Sequence, residues 1–218
     1  MLTTPQAASA RPASRWAVRR ALIRPTLRVA RLGLIAGTVL LGAVPLVVTL
    51  IRGGADVATP LIILGVVSGA ATGWIADDPI AELATPCPLN TPRRLAYRAV
   101  VACTLAFFGG AVIAAGAAIA SSETLEWRDR VPEAATAAAM ALAGGLVIRR
   151  RGEPRAGASG VAVGVLGPLF IAALAFRWSG VLPSFSVSPV HDRWWLVVGC
   201  AALAATYASR DPATRWRS

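Results

Sequence analysis

The chain contains no lysine, a single histidine and three cysteines in 218 residues. Cys87, Cys103 and Cys200 form an odd set with no pair at metal-ligand spacing, which supports neither a disulfide framework nor a zinc site. Pro86-Cys87-Pro88 reads as a stiff loop rather than as a metal- or haem-sensing element. Charge is scarce as well: 15% of residues carry one, against about 25% in an ordinary soluble domain. That is too little to cover a water-facing surface or to hold a chain in disorder. What the sequence has in excess is apolar residues, 56% of the total, with a mean hydropathy of +0.60. This is the composition of an integral membrane protein, expected to be all-α.

A membrane-crossing helix needs about 20 apolar residues. Six runs meet or approach this, at 32–51, 57–76, 100–120, 132–148, 158–176 and 194–208, and together they make a transmembrane domain over 32–208. The fourth is Ala-rich and only modestly hydrophobic, and the sixth is short. Residues 1–12 read as a disordered tail, 13–31 as a basic interfacial helix and 209–218 as a cytoplasmic tail. Within 13–31, Arg20, Arg24, Arg28 and Arg31 make one helical stripe suited to anionic headgroups. An organelle transit peptide shares this arginine-rich, acid-free character; a secretory or twin-arginine signal fits less well.

All 22 basic residues are arginine, giving a net charge of +11. They punctuate the apolar runs instead of forming one face of a soluble domain, so nucleic-acid binding is not indicated. Seventeen fall before the first run, in the second and fourth connections and in the tail; the remaining five fall on the other side. The positive-inside rule then puts both termini in the cytoplasm of a multi-pass cell-membrane protein. Trp127, Trp178, Trp194 and Trp195 are expected as interface anchors at the outer ends.

The span interiors are read as carrying hydroxyls, such as Thr38, Ser68, Thr72, Thr104 and Thr136, and no ionisable group. Proton- and ion-coupled carriers usually keep a buried acid or histidine, and intramembrane hydrolases need a nucleophile with its base or a metal. On this reading both classes are set aside, with no catalytic residue, metal or cofactor assigned. His191, beside Asp192 and Arg193, lacks partners and reads as a solvated interfacial residue. Gly65, Gly69 and Gly73 form a small-residue ridge, and Gly160 and Gly164 repeat it; such ridges let helix backbones approach, within one chain or across a dimer seam.

The connection 77–98, DDPIAELATPCPLNTPRRLAYR, is too long for a turn and too short for a domain. It opens on Asp77, Asp78 and Pro79, with Glu82 in the first turn of an expected short helix over 79–83, and closes on Arg93, Arg94 and Arg98. It is read as exposed, either a docking loop for a cytosolic partner or a solvated connection.

Together with the Arg-rich entry, the His191-x-Arg193-Trp194-Trp195 stretch and the closing Ser209-Arg210-Asp211-Pro212-Ala213, this loop resembles the small six-helix permease subunits of actinobacterial ABC transporters, of the ABC-2 exporter-like type. The resemblance implies partner ATPase subunits, since this chain has no Gly-x4-Gly-Lys-Ser/Thr loop. It also implies a homo- or heterodimer of permeases. It assigns ATPase coupling to Asp77, Asp78, Pro79, Glu82, Arg93 and Arg94. The other reading is a non-transport multipass protein, an accessory or assembly factor.

Overall fold

Backbone amides in hydrocarbon find no water, so long apolar runs satisfy them within their own helix. The computed structural model describes residues 32–53, 57–77, 91–121, 127–151, 155–175 and 193–209. Among these it contains helices and no strand. They are α1 (Leu32–Ile51), α2 (Ala58–Ala70) continued by a 3-10 segment (Ala71–Ala76), α3 (Thr91–Ser121), α4 (Trp127–Arg150), α5 (Ala156–Ala175) and α6 (Trp194–Ser209). Five of these, counting α2 with its 3-10 continuation as one, are long and apolar enough to cross a membrane. The sixth, α6, is apolar but spans 16 residues. Among the described residues the protein is thus all-helical and of membrane type. The expected interfacial helix over 13–31 and the tail beyond Ser209 lie outside the described residues.

Two helices start earlier than hydropathy suggests. α3 begins at Thr91 rather than near 100, and α4 at Trp127 rather than near 132. In both, the added residues include two or three arginines, so a window that reads only apolar character stops short of them.

α4 is the centre of the bundle. It packs on α2, the 3-10 segment, α5 and α6, whereas α3 leans on α1 and α2. Of their apolar stretches, 56% is buried in both α2 with its 3-10 segment and α4, against 17% in α3. The modest hydropathy of α4 follows from this position. Ala134, Ala137, Ala138, Ala141 and Gly145 form one small-residue face that lets neighbours come close, and close approach matters more there than greasiness.

The small-residue ridge lies between helices of one chain. A methyl group on Gly69 would overlap the Ala134 carbonyl oxygen and stand 3.0 Å from Ala137 Cβ. One on Gly73 would meet Gly160 and Val161 backbone, and one on Gly164 the Ala137 carbonyl oxygen at 2.8 Å. Gly65 differs, since its nearest neighbour would be Ala134 Cβ at 3.9 Å.

Two expectations need correction. Trp194 is no interface anchor: it is fully buried, and its carbonyl accepts the Thr136 hydroxyl at 3.3 Å. The adjacent Trp195 is the exposed one. The span interiors are not free of ionisable groups either. Glu133, already the second residue of the run 132–148, lies one turn inside α4 and is buried to 1% exposure.

Candidate functional site

Two clusters of polar groups interrupt this apolar bundle, one at each end. The first forms where the 3-10 segment stops. A helix end leaves carbonyls without intrahelical partners, and cations close to it are favoured. Here Arg98, on α3, donates from Nη2 to the Asp77 carbonyl at 2.7 Å. Arg149, on α4, makes a longer contact of 3.5 Å to the carbonyl of Ala76. Arg98 is buried to 4% exposure, so its guanidinium belongs to the bundle and not to the surface.

The Asp77 side chain turns the other way. Its Oδ1 accepts the Gly157 N–H at 2.6 Å, in the first turn of α5. Residues preceding α5, Pro154 and Arg155, supply no capping side chain of the Ser, Thr, Asp or Asn kind. Asp77 therefore caps α5 from eighty positions away. Gly157 is required for it, because a Cβ there would stand 2.7 Å from the carboxylate. The expectation of an exposed Asp77 is overturned: it is 7% exposed, and its carboxylate bonds within the chain.

Of the other residues assigned to coupling, Asp78, Pro79 and Glu82 lie outside the described residues. Arg93 and Arg94 belong to the first turn of α3. The structure thus joins the two membrane ends of the 77–98 connection at Asp77 and Arg98 and ties them to α4 and α5.

The second cluster lies near the opposite end. α3 and α4 flank α2 with at most marginal contact between them, which opens a cleft of about 210 Å³. Leu61, Leu64, Gly65 and Ser68 of α2 form its floor, and Phe107, Gly110, Ala111 and Ala114 of α3 one wall. The spacing of three, four and seven residues on each helix is that of a single face. Arg130, Val131 and Ala134 of α4 complete it.

Among the described residues, two polar side chains line this apolar space. Arg130 pairs with Glu133 through Nη1 at 3.4 Å, and about a quarter of its side chain is exposed. Ser68 is 2% exposed, and its hydroxyl finds no hydrogen-bond partner among the described residues. This is unusual, because serine and threonine in helices commonly bond back to a carbonyl one turn earlier. Thr38, Thr49, Thr104 and Thr136 all do so here.

Sequence reading named Ser68 without a role, counted Arg130 among outer charges and passed over Glu133. The signal for Glu133 was present in its position between Pro132 and an unbroken apolar stretch. Neither a family model, nor a curated protein, nor a solved structure matches this chain.

Proposed function

We propose that the chain is a six-span permease subunit of an ABC transporter, with both termini in the cytoplasm of the cell membrane. On this reading it works as a dimer with separate cytosolic ATPase subunits that dock on the 77–98 loop. The supporting observation is the Asp77 junction. A loop whose two ends are bound to each other and to the first turn of α5 passes a push from a docked partner into several helices at once. A solvated connection has no need of such bracing.

The test is retention of an ATPase by the purified protein. Asp78→Ala/Glu82→Ala/Arg94→Ala inserts and purifies normally but loses the ATPase and ATP-dependent transport, because losing a charged interface anchor can cost 2 kcal/mol or more. Arg150→Ala/Arg151→Ala controls for loss of inside charge. If the unmodified chain retains no ATPase, the accessory or assembly-factor reading replaces this one.

A second class is favoured by Glu133. An ionisable residue buried in a membrane domain is a functional site by default, and its presence returns proton- or ion-coupled carriers to consideration. Uptake driven by a proton gradient in vesicles free of ATP, and lost in Glu133→Gln, would select that class.

A further inference from the structure

The α2–α3–α4 cleft has a shape and two polar groups that together specify a ligand. Its volume exceeds the ~150 Å³ cavity that accommodates a benzene ring and falls short of the ~300 Å³ at which drug-sized pockets begin. It therefore has room for one slender chain lying along it. From Leu61 to Ser68 the floor runs seven residues along α2, about 10 Å. Gly65 stands beside Ala134, one turn beyond Arg130, so Arg130 is near the Leu61 end and Ser68 at the other.

The one charged side chain among the described lining residues, Arg130, stands at the Leu61 end. Glu133 engages Arg130 through one nitrogen at 3.4 Å, and a guanidinium presents five N–H donors, so one carboxylate leaves it capacity for a second. Among the described residues that line the cleft there is no acid, and Glu133 is not one of them. At the far end the buried Ser68 hydroxyl pays the cost of lacking a partner, and a hydrogen-bonding group brought there by a ligand removes it.

We propose that this cleft binds a single-chain anionic amphiphile with its carboxylate at Arg130 and a hydroxyl at its other end bonded to Ser68, as in an ω-hydroxylated medium-chain acid. The inference goes beyond the permease reading and stands without it. It needs no ATPase, and an ATPase that fails to bind says nothing about the cleft.

The experiment is equilibrium dialysis of the full chain in nanodiscs of zwitterionic phosphatidylcholine. The probes are labelled ω-hydroxydecanoate, decanoate and decyltrimethylammonium. The wild type takes up about one ω-hydroxydecanoate per chain, saturably. Decanoate binds roughly three- to tenfold more weakly, the worth of one hydrogen bond, and the cation does not saturate. Ser68→Ala erases the difference between the two acids. Arg130→Gln weakens both by about tenfold, as loss of a charge-assisted bond does, and Ala111→Phe, which fills the cleft, abolishes both. Should the phenylalanine variant fail to fold, Ser68→Ala, which removes one oxygen, keeps the test. Equal binding of the two acids by wild type, saturable binding of the cation, or displacement by two-chain phosphatidylglycerol at equal concentration overturns the proposal.

Discussion

Asp77 and Gly157 meet as carboxylate and amide at 2.6 Å, joining the end of the second apolar segment to the start of the fifth. The same Asp77 offers its carbonyl to Arg98, so one residue ties the end of the second apolar segment and the start of α5 to the body of α3. Losing it should act on the whole bundle rather than on a loop.

Asp77→Ala should lower stability by about 0.5–2 kcal/mol, the range for a lost helix N-cap. Asp77→Asn, which keeps an acceptor, should cost less. Gly157→Ala should cost more than the asparagine variant, because its methyl group displaces the carboxylate. Thermal unfolding in a mild detergent measures all three. Unchanged midpoints across the set would remove the cap from the account of this fold.

The glycine ridge makes a graded prediction. Gly69→Ala should destabilise by about 1–3 kcal/mol, since the methyl group presses on the Ala134 backbone and the close-packed interface cannot yield. Gly65→Ala meets only an ordinary contact and should be close to neutral. Monodispersity after detergent extraction distinguishes them. Equal behaviour contradicts the packing described for α2 and α4, and dissociation of an oligomer without unfolding would move the ridge to a dimer seam.

Breaking the Arg130–Glu133 pair from either side should hurt more than removing both members. An isolated buried charge costs up to about 3–5 kcal/mol, whereas neutral partners of similar size can be tolerated. Arg130 is partly exposed, so Arg130→Gln should stay at or below the low end of that range. A double-mutant cycle with Glu133→Gln reads the coupling directly, and strictly additive losses would mean that the two side chains act independently.

Topology can be mapped with a reporter active only in the cytoplasm. Fused after Ser218 it should be active, and inserted after Gly54 it should be silent, as six spans with both termini inside require. An active reporter at both positions would require a different number of crossings.

Most of the helical layout was legible because a bilayer demands it: the apolar run at 32–51 is α1 to the residue. The functional chemistry was less legible, for two physical reasons. Glu133 has the position of a flanking charge, and only the packing of α4 at the bundle centre turns it into a buried one. Asp77 resembles a stop signal after an apolar run, and its partner is eighty residues away, beyond the reach of any local spacing rule. A faint trace of that pairing was present: α5 starts without a capping residue of its own, which means that something else must supply the acceptor. Ser68 looked like one hydroxyl among many, and its lack of a back-bond appears only in three dimensions.

The 3-10 winding of Ala71–Ala76 sets the reach of its segment. At about 2.0 Å per residue instead of 1.5 Å, six residues gain about 3 Å over an α-helix. The 19 residues from Ala58 to Ala76 thereby extend about 31 Å, enough to match a hydrocarbon core about 30 Å thick without another turn. The winding also sets an angle. At three residues per turn, six residues advance about a third of a turn further than they would at 3.6. Rewound as α-helix, the same stretch would draw Asp77 back toward the bilayer midplane and rotate its carboxylate away from Gly157. The cap on α5 is therefore a matter of pitch as much as of residue identity.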